Sequence, residues 1–162
     1  MTSSRRISLL VSALAVAAIG LGATTGASAS PPAAASGTYS YTESWFDSFR
    51  TAGGNTIIGL RATVEYTGTF TGSSTVHGTI VVHADGSANF HDVETFSGTV
   101  NGVPGTVTFN LTGSNDAALD VKINSTIVGA TGDLAGLRGV LRLGGIVVFP
   151  QGPTGTYSGM VG

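Results

Sequence analysis

The chain contains no cysteine among its 162 residues. Disulfides, thiolate metal sites and thiol-linked lipids are therefore excluded, so the folded state must depend on packing and hydrogen bonding. Charge is also scarce, because only 10% of the residues are charged and the formal net charge is −2. The few basic residues are scattered, whereas a nucleic acid or an anionic membrane requires a clustered basic face. We expect neither of them as a partner.

Long apolar runs are confined to the N-terminus. Arg5 and Arg6 precede an apolar segment over residues 7–21, and residues 27–29 (ASA) are typical of a cleavage site. This order predicts a secretory signal peptide over residues 1–29, and hence a secreted protein. The apolar run is shorter than the about 20 residues that a membrane-spanning helix needs, so we expect no membrane span after signal removal. A retained N-terminal anchor and export by the twin-arginine route are the less favoured alternatives.

The rest of the sequence is typical of a short linker followed by one domain. Residues 30–37 (SPPAAASG) are rich in Pro, Ala and Ser, which predicts a flexible linker. In residues 38–162, apolar and polar residues alternate in short runs that are separated by glycine-bearing turns. We find no convincing amphipathic helix in this pattern. We therefore predict an all-β domain over residues 38–162, with about eight strands in up-and-down order.

Closure of the sheet is the expected arrangement for such a meander. An open sheet of about eight strands would expose two edges, and closing it into a barrel removes both. We therefore predict a closed antiparallel up-and-down barrel. The interior of a barrel of about eight strands is either filled by side chains or holds one small ligand.

Two candidate hairpin turns, Asp85-Gly86 and Asn101-Gly102, predict which residues face the interior. If both are two-residue turns, His77 lies opposite Glu94, and Glu94 lies opposite Phe109. A shift of one residue would reverse the faces, and the apolar pattern argues against such a shift. The predicted inner residues are Val81, Phe90, Phe96, Val107, Phe109 and Leu111, together with His77, Asp92 and Glu94.

This interior is the candidate binding site. Tyr39, Tyr41 and Trp45 are expected on one face of the first strand. Tyr41, Glu43 and Trp45 on that face would border the same cavity. The pair of Glu94 and His77 has two interpretations: a buried polar pair that satisfies its own hydrogen bonds, or a pair that orients a ligand or transfers protons. The candidate ligand-binding residues are Tyr41, Trp45, His77, Glu94, Phe96 and Phe109, and no catalytic residue is assigned.

Four segments occur in a fixed order: TGTFTGSSTVHG, ADGSANF, ETFSGTVNGVPGTVTF and ATGDLAGLRG. In this order and spacing, the chain resembles over residues 37–162 a small bacterial family known as domain of unknown function 3224, which is similar to allene oxide cyclase-like barrels. The resemblance implies an antiparallel barrel, and it implies no reaction. The chain differs from the family pattern at His77, where an acidic residue is expected, and in its secretion signal.

The glycine-rich segment GATGDLAGLRG, residues 129–139, has two interpretations. A phosphate-binding loop would need a lysine followed by a hydroxyl residue, and a dinucleotide fingerprint would need a helix after the glycines. Neither follows, because Leu141, Leu143 and Val147 continue as a strand. We predict a barrel turn in which Leu134 and Leu137 lie under the end of the barrel.

The histidines do not predict a metal site. On the expected strand, His77 and His83 would lie about 20 Å apart, and His91 would point to the other face. Motifs typical of zinc, calcium or a nucleophilic serine are missing from the sequence. We therefore expect no metal and no cofactor.

The favoured function is a secreted barrel that binds a small, mainly apolar molecule. One alternative is an isomerase- or cyclase-type enzyme that uses Glu94 and His77 as acid–base groups. Another is a structural or protein-interaction module. The sequence leaves open whether the protein is an enzyme.

Overall fold

The computed structural model describes residues 31–162, which form eight antiparallel strands in a closed barrel. Each strand pairs with its neighbours in chain order, so the predicted all-β up-and-down barrel is confirmed. No residue from 31 to 162 is helical, and no helix in this part of the chain could cross a membrane. The signal peptide predicted over residues 1–29 lies outside the described residues. The strands are β1 (Ala33–Ala52), β2 (Asn55–Gly68), β3 (Phe70–Val82), β4 (Ala88–Val100), β5 (Val103–Asn115), β6 (Asp120–Gly132), β7 (Gly139–Val148) and β8 (Gly152–Val161).

The barrel closes through pairing of β1 with β8. The ladder runs from Ala33 opposite Val161 to Ser40 opposite Thr154. The prediction of a flexible linker over residues 30–37 is therefore wrong from Ala33 onward, because these residues belong to a paired strand. Their pairing covers what would otherwise be a free edge of β8. Beyond Ser40, β1 pairs within the described residues with β2 alone.

The two ends of the barrel differ in packing. The packed end, which carries the turns around residues 69, 101–102 and 133–138, is filled by aromatic rings. Phe70 and Phe96 are fully buried there, with ring centroids 5.4 Å apart. Phe109 and Tyr157 also contact Phe70. The open end carries the connections at residues 53–54, 83–87, 116–119 and 149–151.

The turn at the packed end between β6 and β7 is the glycine-rich segment. Leu134 is buried and Leu137 packs against the core, so the prediction of a barrel turn with leucines under the barrel is confirmed. Gly136 has a φ of 95°, a value that favours glycine.

The register is as predicted at one hairpin and wrong at the other. Across Asn101-Gly102, Glu94 lies opposite Phe109 as expected. Across β3 and β4, however, His77 lies opposite Val93, one residue away from the predicted partner. Residues 83–87 form a five-residue loop instead of a two-residue turn, since Val82 pairs with Ala88. The backbone N–H of His83 donates to the Ser87 carbonyl within this loop. As a result His77 and Val81 point outward, while the predicted inner residues of β4 and β5 do face the interior.

The predicted common face of β1 is also wrong for Trp45. Tyr39 and Tyr41 are buried inside, but the register shifts between Tyr41 and Glu43. A β-bulge inserts one extra residue and so reverses the alternation that follows it. Trp45 therefore lies outside the barrel and is 51% exposed.

Candidate functional site

A cavity of about 180 Å³ occupies the open end of the barrel. Its walls are mostly aliphatic and aromatic, and Asp92 is the one charged residue among those that line it. Beyond Ser40, where β1 no longer pairs with β8, Ser44 Oγ donates to the Gln151 carbonyl of the 149–151 connection, and both segments contribute residues to the cavity. The lining residues are Tyr41, Ser44, Phe46, Ile58, Leu60, Ile80, Val82, Gly86, Ala88, Phe90, Asp92, Asn115, Leu119, Val147, Phe149, Pro150, Gly152 and Pro153.

Asp92 lines this cavity and is 2% exposed. It lies opposite Gly78, and its carboxyl group comes so close to Gly78 that a methyl group there would collide with Oδ1. Oδ1 has no hydrogen-bond partner among residues 31–162. Burial raises the pKa of Asp92 to about 7, although a backbone hydrogen bond from Thr79 acts in the opposite direction. The side chain therefore presents a poorly solvated oxygen that lacks a donor.

Glu94 lies two residues further along β4, on the same face and 1% exposed. Tyr66 Oη donates to its Oε2 at 3.2 Å, and Ser74 Oγ donates to its Oε1. Burial raises the Glu94 pKa to about 7, while these two hydrogen bonds lower it in part. Unlike Asp92, Glu94 is satisfied by the protein itself and does not line the cavity.

Tyr41 and Tyr66 lie close to the buried acids, and Tyr39 packs against both of these tyrosines. Burial raises the pKa of Tyr39 to about 12, and burial together with the neighbouring carboxyl groups raises the pKa values of Tyr41 and Tyr66 well above their usual range. All three hydroxyls therefore stay protonated at neutral pH. The Tyr66 hydroxyl donates its hydrogen bond to Glu94. The Tyr39 hydroxyl is buried and has no hydrogen-bond partner within residues 31–162.

Acidic side chains in the barrel interior have no buried basic partner among residues 31–162. Asp92 and Glu94 are buried, and no Lys, Arg or His is buried among residues 31–162. The nearby Asp92 carboxyl group also contributes to the raised pKa of Glu94. Once ionised, this interior would attract a positive charge and repel an anion.

The structure brings four of the six candidate ligand-binding residues into the interior. Tyr41 lines the cavity, and Glu94 lies below it. Phe96 and Phe109 belong to the aromatic packing at the packed end and do not line the cavity. Phe96 and Phe109 therefore contribute no surface to this cavity, and the cavity does not support their predicted contact with a ligand.

The other two candidates lie outside the barrel. His77 is exposed and pairs with Val93, so the predicted contact with Glu94 is wrong. Trp45 is exposed because of the bulge in β1. His91 also faces outward, on the same side as His77 and not opposite to it as predicted. Within residues 31–162 no group of three or more His, Cys, Asp or Glu side chains could hold a metal ion.

Asp92 is the functional candidate that sequence reasoning did not select. The sequence predicts an inward-facing Asp92, but the expected pairing of Glu94 with His77 favours Glu94 as the candidate. The signal that could have identified it is the alternation Phe90-x-Asp92-x-Glu94, which puts two acids on an apolar face.

Comparison with known proteins places the barrel in a family. The model of the family described as "Protein of unknown function (DUF3224)" matches residues 35–149. The chain belongs to the DUF3224 family. A solved structure of a protein with unknown function from this family, from Shewanella oneidensis MR-1 at 1.84 Å resolution, is 15% identical, with a TM-score of 0.65. The match covers 82% of this chain and 98% of the Shewanella chain, so the two DUF3224 proteins share a fold. No curated protein matches.

Proposed function

We propose that this DUF3224 barrel binds a small, mainly apolar molecule in the cavity at its open end. The observation that carries the proposal is the contrast between the two ends. Aromatic rings fill the packed end, whereas the open end has apolar walls around a cavity of about 180 Å³. An apolar cavity of roughly 150 Å³ is large enough for a benzene-sized molecule.

The rim of the cavity supports the same proposal. Phe46 and Phe149 line the mouth and are 46% and 70% exposed. Apolar surface at a concave mouth is stabilised when a ligand removes it from water. A ligand that extends from the cavity to the rim would cover both rings.

We further propose that the barrel acts outside the cytoplasm. This rests on the sequence of residues 1–29 alone, with its basic start, apolar middle and small-residue end. A binding barrel delivered outside the cell would sequester or carry a molecule that the barrel meets there.

A second candidate function is proton transfer to or from a bound substrate. It is favoured by the position of Asp92 in the cavity wall with its pKa raised to about 7, close to the value that suits an acid–base group at neutral pH. His77 has no part in this candidate, because it lies outside the barrel. Turnover of a substrate that is lost in Asp92→Asn while binding is retained would favour the enzyme over the simple binding protein.

The binding proposal can be tested with two matched variants. Ile80 lines the cavity, whereas its neighbour Val81 points outward. We expect toluene to cause saturable NMR shifts of amides around the cavity in the wild-type protein. Ile80→Trp should abolish them by filling the cavity, and Val81→Trp should leave them unchanged. Saturable binding that survives Ile80→Trp, or no binding by the wild-type protein, would contradict the proposal.

A further inference from the structure

We propose that the ligand of this cavity is a lipophilic amine, an apolar molecule whose protonated nitrogen binds Asp92. This inference rests on the proposed function, because it specifies the class of molecule that the same cavity takes.

The first step of the argument is the unpartnered oxygen of Asp92. Its Oδ1 is buried, has no donor within residues 31–162 and belongs to a side chain of the cavity wall. A buried acceptor without a donor is costly, so a ligand that brings a donor gains more here than at an exposed carboxyl group. The ligand is thus expected to carry an N–H or O–H group at its inner end.

The second step concerns the charge of that donor. The lining residues include no Lys, Arg or His, and Glu94 adds a second acid below Asp92. A cationic donor forms a charge-assisted hydrogen bond, which is about twice as strong as a neutral one. It would also compensate for the two carboxyl groups, whereas a ligand carboxylate would add a third acid. An ammonium group therefore fits better than a hydroxyl group, and an anion is disfavoured.

The third step is the surface around the nitrogen. The rings of Tyr41 and Phe90 line the same cavity, and an aromatic face attracts a desolvated cation. Ile58, Leu60 and Ile80 supply apolar wall for the rest of the molecule. Since an apolar cavity of roughly 150 Å³ holds a benzene molecule, we expect the part of the ligand inside this barrel to have about six to ten non-hydrogen atoms. Benzylamine has this size and chemistry.

The experiment compares three probes of matched shape: benzylamine, benzyl alcohol and benzoate, titrated into the full folded barrel domain and followed by NMR and calorimetry. We expect benzylamine to bind about tenfold or more tightly than benzyl alcohol, and benzoate to bind most weakly. Asp92→Asn should remove the preference for the amine and change the affinity for the alcohol by less than about threefold.

Asp133→Asn is the matched control. Asp133 is exposed in the turn between β6 and β7, at the packed end. This variant changes the net charge by the same amount as Asp92→Asn, so it should leave the amine preference intact. Equal loss of the amine preference in both variants would overturn the proposal, because the preference would then be a general effect of the protein's net charge.

The outcomes separate this inference from the proposed function. Binding of the alcohol as tightly as the amine would overturn the amine proposal and leave an apolar binding site. Failure of all three probes, and of toluene, to bind would contradict both. If Asp92→Asn does not fold, two measurements on the wild-type protein test the proposal: the ranking of the three probes and the NMR shifts of the Gly78 and Thr79 amides. A preference for the amine together with shifts of these amides supports the proposal. The absence of the preference or of the shifts overturns it.

Discussion

Asp92 lies directly opposite Gly78 in the β3–β4 ladder, and its carboxyl group takes the space into which a side chain at position 78 would point. Because Gly78 has no side chain, the Asp92 carboxyl group can occupy this space in the cavity wall. The position of the candidate binding group therefore depends on its partner across the ladder.

The first prediction is that Gly78→Ala displaces Asp92. The added methyl group would collide with Asp92 Oδ1 and would lie 2.7 Å from the His91 carbonyl oxygen, which the backbone cannot easily move. We expect a loss of about 1–3 kcal/mol in the free energy of unfolding, measured by urea denaturation. Gly129→Ala is the control, because a methyl group there meets Thr108 only at 3.8 Å. Equal stability losses in the two variants would show that the contact with Asp92 is not the cause.

The second prediction concerns pH. Burial raises the pKa values of Asp92 and Glu94 to about 7 in the folded protein, while in the unfolded chain such groups titrate at about 4. The folded state then binds more protons between about pH 4 and pH 7, so the free energy of unfolding falls as the pH rises through this window. The stabilisation is complete below the unfolded values and is lost above the folded ones.

The measurement is the pH dependence of the free energy of unfolding without ligand. We expect the double variant Asp92→Asn, Glu94→Gln to flatten the fall between about pH 4 and pH 7, a difference on the order of a few kcal/mol. An identical slope in the wild-type protein and the variant would contradict the raised pKa values.

The third prediction tests the β3–β4 register. Directly opposed residues have Cβ atoms about 4.5–5.5 Å apart, close enough for an engineered disulfide. Since the chain has no cysteine, His77→Cys with Val93→Cys should crosslink on oxidation, and His77→Cys with Glu94→Cys should not. A mass measurement decides. Crosslinking of the second pair alone would restore the register expected from the sequence.

The hairpins show how much of the fold could be predicted from the sequence. Alternation fixed the faces of β4 and β5, because the Asn101-Gly102 turn has two residues and Phe96, Phe109 and Glu94 keep a strict period of two. Asp85-Gly86 has the same local signature but lies in a longer loop. The backbone N–H and the hydroxyl of Ser87 donate to Asp85 Oδ1 and stabilise that loop, and a dipeptide pattern does not encode these hydrogen bonds.

The candidate site was less predictable than the fold. The bulge after Tyr41 turns Trp45 outward, and no local residue pattern marks it. The cavity itself depends on where eight strands leave space between side chains, which is a property of packing and not of periodicity. Asp92 could be placed on the inner face from the sequence, but its lack of a partner could be seen only in three dimensions.

The fourth prediction concerns the mature N-terminus. The signal sequence over residues 1–29 predicts cleavage after Ala29, so the secreted protein should begin at Ser30. An intact-mass measurement of protein from the culture medium checks this. Protein that keeps Met1 and stays with the cells would contradict both the cleavage and the proposed location.

The measurement that most directly tests ligand binding in the open end is a crystal structure of the protein soaked with bromobenzene. We predict an anomalous bromine peak inside the cavity, among Ile58, Ile80 and Phe90, which line its walls. The Ile80→Trp variant should lack this peak. A wild-type structure with bromine only on the outer surface, or with none at all, would contradict the account.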